Sequence, residues 1–235
     1  FMPDMLKIYP TLVVKGTKLY EWWKSGDYEP LNTEQAVDLV AKVKEMVPPW
    51  VRIMRVQRDI PLHQIEAGVD KSNLRQLAQR RMRERGSMCR CIRCREAGHR
   101  LREGVEPEGL ELVRRSYEAS GGEEIFIGVE DNGNRVLVGF VRLRIPSERV
   151  FRPEITGSTG LVRELHVYGR MTPVGLEGYD WQHMGWGEAL MEEAERVAAE
   201  EYGMTRMVVM SALGTKEYYG KLGYARDGLY VSKPL

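Results

Sequence analysis

No apolar run in the 235 residues approaches the roughly 18 that a membrane-spanning helix requires. The opening residues, Phe1-Met2-Pro3-Asp4, lack the basic-then-apolar layout of a signal peptide. Cysteine is scarce. There are three, all within six positions, an odd number for a disulfide framework and one that fits a reducing compartment. A cytoplasmic location and no membrane partner are therefore expected. Net charge is almost absent as well, with 35 Lys+Arg against 34 Asp+Glu. With 43% hydrophobic and 29% charged residues, the chain falls in the ordinary globular range. Secreted disulfide scaffolds, collagen-like chains and wholly disordered chains are excluded.

The small net charge conceals an asymmetry. Residues 1–70 carry a net −1, residues 71–102 a net +9, and residues 103–235 a net −7. The basic segment is nearly all arginine. Arginine pairs bidentately with phosphate and stacks on bases, so Lys71, Arg75, Arg80, Arg81, Arg83, Arg85, Arg90 and Arg93 are candidate nucleic-acid contacts. A solvated helix face is the alternative.

Residues 5–15 form a short β-type stretch interrupted by Pro10. Asn32 can cap a helix with Gln35 reaching back, and the apolar spacing continues to Val47 before Pro48-Pro49 stops it. Residues 50–56 read as a strand. This strand–helix–strand order, and the start on Phe1, lead us to expect the tail of a larger α/β unit. A basic helix is expected over 72–85, ended by Gly86. Strands are expected over 124–130 and 135–145, joined by the hairpin turn Asp131-Asn132-Gly133-Asn134. A strand over 160–167, a helix over 187–201, a strand over 206–210, a short helix over 215–221 and a last hairpin over Asp227-Gly228 complete the reading.

The most specific motif is Gln182-His183-Met184-Gly185-Trp186-Gly187, leading directly into the long helix. Its glycines let backbone N–H groups approach a ligand, and the helix dipole points the same way, which suits a pyrophosphate. The strand Glu164-Leu165-His166-Val167 precedes it, and Tyr218-Tyr219 follow it. This arrangement resembles the GNAT acetyltransferases over roughly residues 108–235. The resemblance implies acetyl-CoA as ligand, with its pyrophosphate on Gln182, Met184, Gly185, Trp186, Gly187 and Glu188. It places pantetheine along Glu164, Leu165, His166 and Val167, and a tyrosine, Tyr219 or failing that Tyr218, at the thioester. Glu164 is the carboxylate on that strand and a candidate general base; pairing with an arginine is the other reading.

Cys89-x-Cys91-x-x-Cys94, with His99 five positions on, supplies the ligand number of a closed structural zinc site. Three free cysteines without metal are the alternative, and water or a carboxylate could replace His99. The C-x-x-x-C-x-x-C pattern of a radical S-adenosylmethionine cluster is not present.

Longer blocks go further. They include Lys7-Ile8-Tyr9-Pro10-Thr11-Leu12-Val13, Pro48-Pro49-Trp50-Val51-Arg52-Ile53-Met54-Arg55-Val56, Cys89-Arg90-Cys91-Ile92-Arg93-Cys94 and Arg163-Glu164-Leu165-His166-Val167-Tyr168-Gly169. Together they resemble the catalytic subunit of the Elongator complex, in an archaeal stand-alone form, along the whole chain. That resemblance implies a radical S-adenosylmethionine barrel with a 4Fe-4S cluster, joined to a GNAT domain, that builds a carboxymethyl-type group on the wobble uridine of tRNA. Acetyl-CoA would supply the two carbons and the tRNA anticodon stem-loop would be the partner. The expected fold class is α/β (α+β). Residues 1–70 would be the last barrel elements, 71–104 a basic helix and zinc-binding linker, and 105–235 the GNAT domain. Most of the barrel is absent from these residues, so no uridine modification is expected without it in cis. A lysine N-acetyltransferase acting on histones or other proteins is the competing function.

Overall fold

The computed structural model describes residues 2–169 and 185–235. The chain divides into two compact units, one formed by residues 3–94 and the other by residues 95–235 with the first two residues.

In the first unit, β1 (Met5–Lys7) pairs in parallel with β3 (Arg52–Arg55), and β2 (Val13–Val14) pairs antiparallel with β4 (Ile65–Ala67). Helix α1 (Lys18–Ser25) begins where the Thr17 side chain accepts from the Tyr20 N–H at 3.2 Å. Helix α2 (Thr33–Met46) opens on a full capping box. The Gln35 N–H donates to Asn32 Oδ1, the Asn32 N–H donates to Gln35 Oε1, and both distances are 2.9 Å. Two helix-end donors are thereby satisfied reciprocally. The basic helix is α3 (Leu74–Glu84), shorter by a turn fraction than the spacing predicts. Its buried row, Leu74, Ala78 and Met82, packs with Ala36, Val37, Val40 and Ala41 of α2, and with Ile53, Val69 and Cys91. The core that α2 and α3 share thus draws on residues to either side of position 70.

The second unit opens with the end of α4 (Ile92–Arg95) and α5 (Ala97–Arg102), then builds a seven-stranded sheet. Its strands are β5 (Glu111–Ala119), β6 (Gly122–Asp131), β7 (Val136–Ile145), β8 (Thr159–Val167), β9 (Arg206–Val209), β10 (Ala225–Asp227) and β11 (Tyr230–Pro234). The spatial order is β10-β11-β9-β8-β7-β6-β5, antiparallel throughout except for the β8–β9 pair. A parallel pair requires a crossover connection. Helix α6 (Trp186–Arg196) lies in that crossover and continues as a wider turn over Val197–Glu201. Its Leu190, Met191 and Ala194 are buried against the sheet. The β6–β7 turn is the expected one: the Asn134 N–H donates to Asp131 Oδ1 at 3.0 Å. Strand β5 is a finding beyond the sequence reading. It is an edge strand whose exposed positions include Glu111, Arg114 and Glu118, a common protection of an exposed ladder.

Carboxylates stitch the sheet from within. Glu130, 1% exposed, accepts from Arg95 at 2.7 Å and from both Arg115 nitrogens at 2.7 and 2.9 Å. Glu124 accepts from Arg144 and Arg163, each at 2.7 Å. A buried carboxylate is tolerated only when paired in this way.

Replacing Asn32 by alanine is expected to lower the stability of the first unit by about 1 kcal/mol, and glycine there by a few tenths. Denaturant midpoints of the two variants check this; equal midpoints for all three proteins would show the cap to be idle.

Candidate functional site

The β8–β9 ladder runs from Thr159↔Arg206 to Val162↔Val209 and stops, while β8 stays paired with β7 as far as Val167. A register irregularity between Arg142 and Leu143 of β7 leaves Arg163 as the extra residue of β8 at this point. Such a bulge bends a strand away from its neighbour. Where the ladder ends, a cleft of about 760 Å³ opens, lined by Leu165 and Val167 of β8, Gly185, Gly187 and Glu188 at the start of α6, and Tyr218 and Tyr219 of α7 (Lys216–Lys221). Thr215, Lys221 and Leu222 line it too, and the sequence motifs did not single them out.

Gly185 caps α6 with φ 76°, a left-handed conformation that favours glycine. Among the described residues no side chain caps this helix, so its first-turn N–H groups remain for a ligand's oxygens. Gly187 is fixed by a different constraint. A Cβ there would stand 2.7 Å from the Tyr218 hydroxyl and 3.8 Å from Val167. Trp186 does not line the cleft; its Nε1 is buried without an acceptor among the described residues. Gln182 and Met184 lie outside the described residues.

The two tyrosines differ. Tyr219 is 6% exposed and packs edge-on against Tyr218 and Tyr224, whereas Tyr218 is 38% exposed. Burial pushes the Tyr219 hydroxyl up to about 12, and Tyr218 adds to the shift. Tyr218 moves the same way, through burial and then the Glu188 carboxylate. Both remain protonated near neutrality and can donate a proton.

Glu164 and His166 are not among the residues lining the cleft. The Glu164 carboxylate accepts from Arg142 Nε at 2.9 Å. Arg142, 1% exposed, sits over both Phe126 and Phe140, with its guanidinium carbon 5.3 and 5.2 Å from the ring centres. His166 stacks on Phe140 at 6.0 Å and lies tilted against Tyr168 at 4.4 Å. Leu165 and Val167, alternating with them, face the cleft.

In the first unit the Sγ atoms of Cys89, Cys91 and Cys94 lie within 4.8 Å of one another. Thiolates about 2.3 Å from a tetrahedral zinc stand roughly 3.8 Å apart, so this set fits one ion after small side-chain adjustments. Hydrogen bonds from the Cys89 and Cys94 thiols hold Cys91 well below the ordinary thiol range; sharing with Cys91 holds Cys89 far above it. His99 lies on α5, in the other unit, and is not part of this group.

The arginines of α3 divide by role. Arg75 Nη2 donates to the carbonyls of Ile53 and Met54, both at 3.1 Å, and its burial, then Arg93, lowers the guanidinium from its usual range. Arg81 binds Glu34 at 2.6 Å and also Asp38; Arg85 binds Asp38 at 2.8 Å. Those three hold α3 to its surroundings. Arg80 and Arg83 are exposed and, with Gln76, form one outward row at i, i+4 and i+7. Lys71 and Arg90 are exposed as well, and Arg93 is half-buried.

A Gly187→Ala substitution is expected to displace Tyr218 and weaken coenzyme A binding by at least tenfold, measured by calorimetry. Combining it with Tyr218→Ala should recover part of that loss. Undiminished affinity in the single variant would remove Gly187 from the site.

Residues 3–84 match the Radical_SAM C-terminal domain, and residues 93–224 match the Acetyltransferase (GNAT) family. Over 100% of its length the chain is 50% identical to the tRNA uridine(34) acetyltransferase of Methanocaldococcus infernus, of which it covers 45%. It is also 50% identical, again over 100% of its length, to Elongator complex protein 3 of Drosophila melanogaster, of which it covers 43%. It therefore spans less than half the length of the curated relatives it matches. The structure of archaeal Methanocaldococcus infernus Elp3 with an N-terminal deletion superposes with a TM-score of 0.93 at 50% identity, covering 100% of this chain and 56% of that one. The expected class, a mixed α/β chain with a GNAT domain after a radical S-adenosylmethionine C-terminal segment, agrees with both matches. With the acetyltransferase match extending over more than half of its residues, the chain belongs to the Acetyltransferase (GNAT) family.

Proposed function

We propose that this chain is the acetyl-CoA-binding and tRNA-docking part of a tRNA wobble-uridine acetyltransferase. The observation that carries the reading is the cleft at the end of the β8–β9 ladder, in a chain similar throughout to tRNA uridine(34) acetyltransferases. The first-turn N–H groups of α6 bind the pyrophosphate, with Gly185, Trp186, Gly187 and Glu188 forming the turn. The β8 backbone from Glu164 to Val167 guides the pantetheine arm past the ladder's end. Tyr218, the more exposed of the pair, donates its proton to the departing thiolate, and Tyr219 buttresses it. The thioester supplies the two-carbon unit.

Arg80 and Arg83, with Lys71 and Arg90, hold the phosphates of the anticodon stem-loop. Cys89, Cys91 and Cys94 hold a structural zinc ion, whose affinity becomes folding energy of the first unit. The rest of the longer protein supplies the 4Fe-4S cluster and S-adenosylmethionine, in cis. The protein works in the cytoplasm, where free thiols persist; no helix among the described residues is long and apolar enough to cross a membrane. Lysine acetylation is less well supported, because the carboxylate offered as its base, Glu164, is engaged by Arg142.

Two measurements test this reading. Filter binding is expected to favour tRNA over a lysine-rich peptide. Arg80→Ala with Arg83→Ala should lower tRNA affinity and reduce the slope of log affinity against log salt by about 2, while Arg81→Ala should act mainly on thermal stability. Equal salt slopes for the double variant and the parent would discard the docking face. In the complete enzyme, Tyr218→Phe should slow tRNA-stimulated release of coenzyme A more than Tyr219→Phe, with coenzyme A affinity nearly unchanged. The reverse order would give the donor role to Tyr219.

A further inference from the structure

Lys44 is the anomaly of the first unit. It belongs to α2, it is 0% exposed, and no carboxylate pairs with it among the described residues. A buried ammonium needs a compensating negative charge and hydrogen-bond acceptors. What Lys44 reaches is sulfur: its Nζ donates to Cys94 Sγ at 3.7 Å. Gln79 of α3 donates to the same sulfur from another direction, Nε2 to Sγ at 3.6 Å. Two polar side chains from two helices therefore converge on one thiol, while the Arg75 guanidinium, donating to the Ile53 and Met54 carbonyls, stands close enough to feel all three cysteines.

Neutral thiols would give Lys44 poor compensation. Three thiolates around a divalent ion carry one surplus negative charge, and a single ammonium cancels it. We propose that Lys44 is the outer positioning residue of the three-cysteine metal centre, donating to the Cys94 thiolate and neutralising the loaded site, with Gln79 fixing the same sulfur's orientation. The inference rests on the metal reading given above and extends it to metal preference. A divalent ion leaves the three thiolates and the contacting ammonium neutral as a set, with Arg75 adding positive field from beyond the contact. A monovalent ion would leave a buried negative charge uncompensated. Outer contacts of this kind orient ligands and tune metal affinity.

The test uses the full chain, as wild type and as Lys44→Met, which is unbranched, one atom shorter and uncharged. Zinc affinity is measured by competition with a chromophoric chelator, the cobalt(II)–thiolate charge-transfer band by absorbance, and the thermal midpoint with and without zinc. The wild type is expected to bind one zinc ion. Lys44→Met should lose about 10- to 100-fold in zinc affinity and shift the cobalt band to longer wavelength. Its metal-free midpoint should not fall, since the buried charge has gone. Should Lys44→Met fail to fold, Lys44→Gln, which keeps a donor without the charge, is expected to show the same affinity loss. Wild-type affinity and an unmoved band in a folded variant would overturn the role of Lys44 while leaving the metal centre intact. A wild type that binds neither zinc nor cobalt would bring down both.

Discussion

Strand β8 has two neighbours along its first half and one along its second. The proposed chemistry depends on that loss of a neighbour. A sheet that paired β8 and β9 to their ends would leave no edge for an extended ligand and no gap between them. The irregularity at Arg142 and Leu143 supplies the bend, and α6 enters the crossover just beyond it. The start of that helix, capped by no side chain among the described residues, then comes to lie in the same cleft as Leu165 and Val167. A backbone edge and a helix mouth, brought together by one interruption in pairing, can read the polar spine of a ligand through main-chain groups.

The second governing feature is how arginine is used. On composition, a net +9 segment reads as one nucleic-acid surface. In the structure many of its arginines face inward. Arg75 satisfies two strand carbonyls, Arg81 and Arg85 grip Asp38 of α2, and Arg95 enters the Glu130 network. The sheet repeats the habit with Arg115, Arg142, Arg144 and Arg163. The guanidinium suits this duty, being planar, multiply donating and less strongly hydrated than an ammonium. The docking face we propose is accordingly smaller than the charge count implies, concentrated on the exposed Arg80 and Arg83 row.

That division also explains what could be read from the sequence. The α2 capping box, the Asp131–Asn134 turn and the glycine entry to α6 are local, set by residues a few positions apart, and they stand where the spacing puts them. The three cysteines are likewise close in sequence, so their convergence was legible. Helix α1 was not, because its eight residues, though apolar at Leu19, Tyr20 and Trp23, are too few for a repeat to stand out and bury none of their side chains fully. Strand β5 hid because its half-buried positions mix Arg115 with Val113 and Tyr117, and no apolar alternation marks it. The burial of Arg142 between two phenylalanines, and the capture of Arg81 by Asp38, depend on partners many residues away. No periodicity announces such pairings. The same holds for Lys44, which in sequence is one more polar residue in the last turn of an amphipathic helix.

The first unit joins these threads. Cys91 is a core residue, 0% exposed, packed in the same cluster as Leu74, Ala78 and Met82. Those three residues form the inner row of α3, whose outer row carries Arg80 and Arg83. Anything that changes the cysteine cluster therefore acts on the surface that α3 presents, through rigid side-chain packing. A metal ion bound there would stabilise the folded unit against the unfolded one and hold the docking face in a single orientation. On this argument the proposed metal cluster and the proposed docking row, adjacent in the sequence, would act as the inside and the outside of one device, with Lys44 reaching the cluster through Cys94.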